Sequence, residues 1–313
     1  MIHILVDISN LLFGTYQAVT RSDRNVGLPP ASKIELCKEY TLSKIASYIT
    51  KTQVPNENVT IAWDCGSWRK KDFPYYKAKR AEGRKDDYQD MIEFFNEFRE
   101  EIVNNFPWKN VFIRGCEGDD IIGTLARHHQ KNGDGVLIFS KDKDFLQLIN
   151  HNTKLVDPFN SSVKDEFVIN KKKELVWKID TVDEARRFTL FHIILGDKDD
   201  GIPSVIYDDD YLVNPAKLSK RFGVMSVMKT FFSDDEDMNI ENIRKYHHNF
   251  KENFQRNARL IDLNFIPKEV KQEIMDDWIT LKVQNDFKVT EEWCNEKNFF
   301  DLLRTMNSNR FNT

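Results

Sequence analysis

The chain has 313 residues, of which 46 are basic and 50 are acidic, so its net charge is −4. This balance argues against a protein that coats DNA through uniform positive charge, and 40% hydrophobic residues suffice for a substantial core, so we expect two domains. No apolar run could span a membrane, no signal peptide is evident, and the four scattered cysteines show no metal-type spacing; we expect a cytoplasmic protein with free thiols.

The first half of the chain contains short apolar runs that have the length and β-branched content of buried strands. Helical patterns separate these runs, and alternation of this kind predicts an α/β domain with a central, mostly parallel sheet. The four predicted strands are residues 2–6, 59–63, 110–113 and 135–139.

Helices are predicted at residues 33–51, 87–105 and 119–130, where apolar residues recur at helical spacing. The second of these carries a stripe of phenylalanines that we assign to the core. A short, partly exposed hairpin is predicted from residues 154–157 and 166–169.

The second half of the chain is polar and helical, with proline, glycine and aspartate breaks. Thr181 is a predicted N-cap for a helix that ends near Leu195. We place a domain boundary near residue 184. The α/β domain is then residues 1–184, and a smaller all-helical domain is residues 185–313.

Acidic residues follow the apolar runs at five places in the sequence. Strands of an open parallel sheet present ligand sites at their carboxyl ends, so these side chains would share one edge. Carboxylates gathered there would repel one another unless cations neutralised them, and oxygen ligands suit a pair of Mg²⁺ ions acting on a phosphodiester, not zinc. The ten acids are Asp7, Asp64, Glu117, Asp119, Asp120, Asp142, Asp144, Asp197, Asp199 and Asp200.

Residues 68–85 carry eight basic and two acidic side chains, with Phe73, Tyr75 and Tyr76 between them. Lysine and arginine bind phosphates, and aromatic rings stack on the bases of a single strand. An acidic edge combined with a basic, aromatic segment favours a metal-dependent nuclease. The basic residues are Arg69, Lys70, Lys71, Lys77, Lys79, Arg80, Arg84 and Lys85.

The order of these motifs resembles the 5′-nuclease (flap endonuclease) family, and in particular its ribonuclease H branch in T-even bacteriophages. The resemblance runs from residue 2 to about residue 205 and is weaker at residues 257–278. The motifs that carry it are Asp7, Asp64, WRKKDFPYYKAKR at 68–80, EGDD at 117–120, SKDKDF at 140–145 and GDKDD at 196–200.

The resemblance implies a PIN-like α/β domain with a helical arch at about residues 68–90. In the helical domain it implies a helix–three-turn–helix region that grips duplex DNA. It also implies two Mg²⁺ ions, with Mn²⁺ able to substitute. Asp199 is expected to face solvent beside the metal ligands and not to bind an ion. The first metal site would comprise Asp7, Asp64, Glu117 and Asp119, with Asp120 acting through water, and the second Asp142, Asp144, Asp197 and Asp200.

By the same resemblance, Lys77 and Arg80 would contact the scissile phosphate, and Tyr76 would stack on a base. The sequence departs from the family at Gly201, where asparagine is usual, and at the loop 202–205, which weakens the case for a potassium site. The expected nucleic-acid-binding residues are Arg69, Lys70, Lys71, Tyr76, Lys77, Lys79, Arg80, Arg84 and Lys85.

We therefore expect a Mg²⁺-dependent 5′→3′ exonuclease and flap endonuclease that acts on forked DNA and RNA–DNA hybrids and removes RNA primers from lagging-strand fragments. It is expected to be a monomer in the bacterial cytoplasm (that of the host if the chain is phage-encoded) and to bind a single-stranded-DNA-binding protein. Three alternatives remain: a PIN-type endoribonuclease acting on single-stranded RNA, a non-catalytic DNA-junction binder and a small-molecule phosphohydrolase.

Overall fold

The computed structural model describes residues 1–79, 87–159, 179, 181–214, 249–282, 289 and 291–307. Three predicted nucleic-acid contacts, Arg80, Arg84 and Lys85, lie outside these described residues. So does the second half of the predicted hairpin, residues 166–169.

Five parallel strands form one sheet in the order β3-β2-β1-β4-β5, which confirms the predicted α/β class. Strand β1 lies between β2 and β4, and its last residues pair with Ile61 and Ala62 on one side and with Phe139 on the other. The ends of β1, β2 and β4 therefore meet at one edge. The strands are β1 Ile2–Asp7, β2 Val59–Trp63, β3 Lys109–Phe112, β4 Gly135–Phe139 and β5 Thr153–Val156.

Strand β5 covers most of the first predicted hairpin strand, residues 154–157, and pairs in parallel with β4, while its pairing with residues 166–169 stays a prediction. A 3₁₀ turn, Lys143–Leu148, leads the chain away from the end of β4, so that β5 begins beside the start of β4. Leu155 and Val156 are buried, which shows that this strand belongs to the core sheet.

Helices flank the sheet, and one of them begins at a capping signal that the sequence shows. Thr181 and Glu184 cap each other's backbone at the start of one helix, as the predicted N-cap requires. The helices are α1 Ile8–Arg21, α2 Pro30–Thr52, α3 Arg69–Asp72, α4 Asp87–Asn105, α5 Gly118–Lys131, α6 Val182–Leu195, α7 Phe250–Ile261, α8 Lys268–Thr280, α9 Glu291–Lys297 and α10 Phe300–Asn307.

The sheet buries both of its faces. Ile4 and Val6 pack in one cluster with apolar residues of α1, α2 and α4. Leu5 lies between them in sequence and so points to the opposite face, where α5 packs on β1, β2 and β4. Burying an aliphatic side chain of this size contributes roughly 1.5–3 kcal/mol, so the two faces together fix the strand register.

The chain forms two compact units that are discontinuous in sequence. The first unit comprises Met1–Gly66, Asp86–Asp165 and Lys268–Thr313, and the second comprises Ser67–Lys85 and Glu166–Pro267. Each unit takes segments from both sides of residue 184, and the boundary placed there stays a prediction. Among the helices described, none has the length and apolar content needed to cross a membrane.

Helix α8 closes the β3 side of the first unit by packing against α5 and β3. Its Trp278 indole N–H donates to Oγ1 of Thr60 at 3.1 Å, and the Lys109 ammonium lies 4.0 Å from the Trp278 ring centroid. On the other side of the same unit, α10 packs on α2, where Glu39 accepts a hydrogen bond from the Asp301 backbone N–H at 2.8 Å.

The second unit is built on α6 and α7. Asn257 is fully buried, and its side-chain amide donates to the backbone carbonyls of Ile193 and Pro203, both at 2.8 Å. The chain after α6 is thereby fixed to α7.

Candidate active site

Asp7 is the last residue of β1 and caps α1. One carboxylate oxygen accepts the Asn10 backbone N–H at 3.1 Å, and the other accepts the Ser140 hydroxyl at 2.8 Å. Asp7 is only 5% exposed and Ser140 is fully buried. The carboxylate is therefore held in one orientation at the carboxyl end of the sheet.

The segment after β4 places two more carboxylates at this edge. The Asp142 backbone N–H donates to the Ser140 hydroxyl at 3.0 Å, and the Asp142 carboxylate accepts the Asp144 backbone N–H at 2.9 Å. Phe145 is fully buried and anchors the turn that follows. Ser140 thus connects Asp7 to the loop that carries Asp142 and Asp144.

The start of α5 brings in the acids of β2 and of the segment after β3. The Asp64 carboxylate accepts the Gly118 backbone N–H at 2.6 Å, and Asp120 accepts the Glu117 backbone N–H at 3.0 Å in a capping box. A Cβ at Gly118 would lie 3.3 Å from an Asp64 oxygen and 3.9 Å from an Asp7 oxygen. Both aspartates therefore lie against the same helix start.

Seven acids of the first unit thus lie at or beside the carboxyl ends of its strands, and we call this set the carboxylate rim. Asp119 belongs to it as a half-buried residue in the first turn of α5, where negative charge is stabilised by the helix dipole. The rim comprises Asp7, Asp64, Glu117, Asp119, Asp120, Asp142 and Asp144.

Burial and electrostatic repulsion within the rim act together on Asp7. Burial and the charge of Asp64 raise the pKa of Asp7 to about 7, with a smaller contribution from Asp142, while the hydrogen bonds from Asn10 and Ser140 lower it. A buried carboxylate that repels its neighbours in this way is suited to a cation. Because every member of the rim is a carboxylate, a hard, oxygen-seeking ion fits it better than zinc does.

The second unit holds the remaining predicted ligands in the loop after α6. The Asp197 carboxylate accepts the backbone N–H groups of Asp199 and Asp200 at 2.9 and 3.2 Å. Its other oxygen lies 3.0 Å from Nε2 of His192, and both side chains are buried. This loop therefore presents Asp200 beside Asp197, and Asp199 is exposed, as expected.

Asp200 also binds the basic segment. It accepts the Tyr76 hydroxyl at 3.0 Å, its carbonyl accepts the Lys77 backbone N–H at 2.7 Å, and the Lys77 ammonium lies 3.6 Å from its carboxylate. Gly201 has φ +75°, and a Cβ there would lie 2.6 Å from the Tyr75 carbonyl oxygen. Close packing of the basic segment therefore favours glycine at this position.

Comparison with known proteins decides the family. The profile of the family described as "5'-3' exonuclease, N-terminal resolvase-like domain" matches residues 3–180, more than half of the chain. The chain belongs to this 5′-3′ exonuclease family. The predicted family is confirmed, and with it the prediction of an enzyme that hydrolyses phosphodiesters.

Two curated relatives are similar to this exonuclease family member along most of its length. A 5′-3′ exonuclease of Buchnera aphidicola is 25% identical over 311 residues, which cover 96% of this chain and 95% of the relative. The ribonuclease H of Enterobacteria phage T4 is 24% identical over 222 residues, which cover 70% of this chain and 67% of the relative.

The solved structures show the same fold. The T5 D15 protein, co-crystallised with metal ions, has a TM-score of 0.59 and 18% identity, and the match covers 89% of this chain and 98% of that one. A D15 flap endonuclease complex with DNA and metal ions has a TM-score of 0.50 and 19% identity, covering 98% of this chain and all of the other. This likeness confirms the predicted PIN-like fold.

Within this family member, two of the predicted nucleic-acid contacts are buried. Arg69 is 3% exposed, and its Nε donates to the Leu260 carbonyl at 2.8 Å. Tyr76 is 3% exposed and packs in a cluster with Phe73. Arg69 thus joins α3 to α7 and Tyr76 packs among apolar side chains, while their nucleic-acid-binding roles stay predictions. Among the described residues of the segment, the exposed cations are Lys70, Lys71 and Lys79.

Sequence reasoning missed three polar residues that orient the acids. Ser140 and Asn10 hold the edge formed by β1 and β4, and His192 holds Asp197. A serine between a strand and an Asp-x-Asp pair was a usable signal. His192 gave no comparable signal, because a histidine in an apolar helix is usually a packing residue.

Proposed function

We propose that this chain is a Mg²⁺-dependent 5′→3′ exonuclease and flap endonuclease acting on branched DNA and RNA–DNA hybrids. Its proposed task is the removal of RNA primers during lagging-strand replication in the bacterial cytoplasm. The observation that carries the proposal is the carboxylate rim, in which Asp7 is oriented by Ser140 and has a pKa raised by burial and by its acidic neighbours.

Two divalent ions are proposed, Mg²⁺ by preference and Mn²⁺ as a substitute. When bound, they would activate water and stabilise the leaving oxygen. Asp7, Asp64, Glu117 and Asp119 would hold one ion, with Asp120 acting through water. Asp142 and Asp144 would hold the other, completed by Asp197 and Asp200 of the second unit.

The neighbours of these acids keep them in place for that role. The Gly118 N–H fixes one oxygen of Asp64, and the Ser140 hydroxyl fixes one oxygen of Asp7, so both carboxylates are held at the shared edge. Groups that orient ligands in this way commonly change metal affinity by about 10–100-fold when they are removed.

Lys77 is proposed to neutralise the scissile phosphate together with Arg80. In the structure its ammonium lies next to Asp200, 3.6 Å from the carboxylate. A cation bound by Asp200 would compete for that carboxylate and leave the ammonium available to a substrate phosphate. Lys77 has φ +54°, an uncommon conformation for a residue with a side chain, and its backbone hydrogen bond to Asp200 maintains it.

The relatives support the choice of substrate. The T5 flap endonuclease was solved with DNA and metal ions, and the T4 relative is a ribonuclease H. We extend both to this chain as forked DNA and RNA–DNA hybrid substrates. We also propose that the protein is a monomer, that it cooperates with a single-stranded-DNA-binding protein and that it has no membrane partner.

One labelled 5′-flap duplex and one labelled RNA–DNA hybrid test the function directly. With Mg²⁺ we expect short 5′-phosphorylated products from both substrates, and none in excess chelator. Asp142→Asn should abolish cleavage and leave substrate binding nearly unchanged, while Asp199→Asn, which alters an exposed acid of the other loop, should cleave like wild type.

Other results would identify the alternative functions. Cleavage of linear single-stranded RNA in preference to the flap would indicate a PIN-type endoribonuclease. Tight binding of the flap without cleavage in any divalent ion would indicate a junction-binding protein. Cleavage that persists in chelator would contradict the metal mechanism.

A further inference from the structure

Lys141 is a cation in the middle of the carboxylate rim. It lies between Ser140, which binds Asp7, and Asp142, and its backbone N–H donates to the Asn10 side chain at 3.2 Å. Its exposed ammonium lies 5.0 Å from the centroid of the Phe159 ring. The side chain therefore interacts with an aromatic ring and does not pair with the acids on either side of it.

A second lysine meets the same ring from α2. The Lys44 ammonium lies 4.8 Å from the Phe159 centroid and donates to the Pro158 carbonyl at 3.1 Å. Lys44 is half-buried; burial lowers its pKa, and the charge of Asp157 offsets this in part. Its ammonium is thus poorly solvated, which strengthens its attraction to any anion that approaches.

The Phe159 ring is held in place by Asp157 and by Gly14. The Phe159 backbone N–H donates to the Asp157 carboxylate at 2.8 Å, and the ring packs directly on Gly14 of α1. A Cβ at Gly14 would overlap the ring, so glycine is required for this approach. Two cations are therefore arranged on a fixed aromatic ring beside the rim.

Among the described residues, the Asp157 carboxylate acts on Lys44 electrostatically without forming an ion pair with it. Neither Lys44 nor Lys141 forms an ion pair with a carboxylate there, although acids surround Lys141 in sequence. A cation–π contact contributes only about 0.5–1 kcal/mol at an exposed site, and two ammonium groups on one ring repel each other. A singly charged phosphodiester placed between them would relieve that repulsion.

We propose that Lys44 and Lys141 bind one backbone phosphate of the nucleic-acid substrate, adjacent to the phosphate that is cut. The inference rests on the proposed function in one respect, that the ligand is a nucleic acid. Lys141 fixes the location, because its own backbone lies between the residue that orients Asp7 and the ligand Asp142. The pair would set the position of the strand on the rim by contact with the backbone, without reading its sequence.

A structural role for the two lysines makes a different prediction. Lysine stems often cover apolar surface while the charge stays in water, and in that case the charge itself would be dispensable. Lys→Gln keeps much of the stem and removes the charge, so it separates the two roles. Lys131, an exposed lysine at the end of α5, supplies the matched control.

The test measures binding of a fluorescein-labelled 5′-flap DNA across a KCl series. Ca²⁺ replaces Mg²⁺ because it neutralises the acids of the rim while its coordination geometry is more flexible. A gel checks that the probe stays intact. For the double variant Lys44→Gln/Lys141→Gln we expect weaker binding at low salt. The log–log salt slope should be shallower by roughly 0.7–0.9, the value for one lost phosphate contact. Lys131→Gln should match wild type, and the double Lys→Arg variant should keep the wild-type slope.

A second series locates the contact on the substrate. One phosphate at a time is replaced by an uncharged methylphosphonate, and one position near the cleavage site should weaken binding to wild type but not to the double Lys→Gln variant. A wild-type salt slope in that variant, or equal sensitivity at every position, would overturn the proposal. Cleavage of the flap in Mg²⁺ is measured separately. If the double Lys→Gln variant has the shallower salt slope but the wild-type protein cleaves no substrate, only the proposed function is contradicted.

Discussion

Replacing Ser140 by alanine is expected to weaken metal binding without disturbing the fold. The hydroxyl donates to Asp7 at 2.8 Å and accepts the Asp142 backbone N–H at 3.0 Å, so its loss affects two ligands together. A hydrogen bond to a charged group is worth about 1.5–3 kcal/mol, which corresponds to roughly 10–150-fold in affinity. Because the hydroxyl also lowers the pKa of Asp7, the loss should be largest below pH 7.

The assay is the Mg²⁺ concentration that gives half-maximal cleavage of a flap substrate, measured beside the Mg²⁺-induced rise in melting temperature. Ser9→Ala is the control. The buried hydroxyl of Ser9 has no hydrogen-bond partner in the described structure, and Ser9 lies in the first turn of α1, the helix that Asp7 caps. If Ser140→Ala required no more Mg²⁺ than Ser9→Ala, Ser140 would not orient the rim.

Three further predictions concern other parts of the chain. Burial and the neighbouring histidines lower the pKa of His129 to about 3, so below about pH 6.5 the unfolded chain protonates this histidine while the folded chain does not. The free energy of unfolding should therefore fall by about 2 kcal/mol from pH 7 to pH 5. Urea unfolding of a His129→Gln variant should show less of this loss. Lys77→Ala should lower turnover by about 10²-fold, as loss of one charge-stabilising donor does, with a melting temperature close to that of wild type because its pair with Asp200 is worth about 1 kcal/mol or less; unchanged turnover would remove Lys77 from the mechanism. Gly201→Asn, which restores the residue usual in the family, should destabilise the protein by about 1–3 kcal/mol because its Cβ would meet the Tyr75 carbonyl, and a variant as stable as wild type by thermal unfolding would refute that packing argument.

The strand-end argument predicted the rim of the first unit because it depends only on local pattern. Apolar runs that end in Asp7 and Phe139 are buried parallel strands, and the carboxyl ends of neighbouring parallel strands meet at one edge. The sequence predicted a strand at residues 154–157, but its parallel pairing with β4 could not be found in the same way. Its short pattern around Leu155 suits either strand direction, and only the turn after β4 decides which one forms.

The basic segment shows what composition leaves undetermined. Arg69 and Lys70 are adjacent cations in sequence, yet one is buried against the Leu260 carbonyl and the other is exposed. Which of them faces solvent depends on a contact that is distant in sequence, with α7. The hydrogen bond between Tyr76 and Asp200 is of the same kind, because each residue suggested a separate role and only folding joins them.

The central claim is that the carboxylate rim holds a pair of cations on which cleavage depends. Anomalous diffraction from crystals soaked in Mn²⁺ tests it most directly. We expect two peaks about 3.5–4 Å apart, one bound by Asp7 and Asp64 and the other by Asp142 and Asp144. A single peak, or peaks away from these four aspartates, would contradict it.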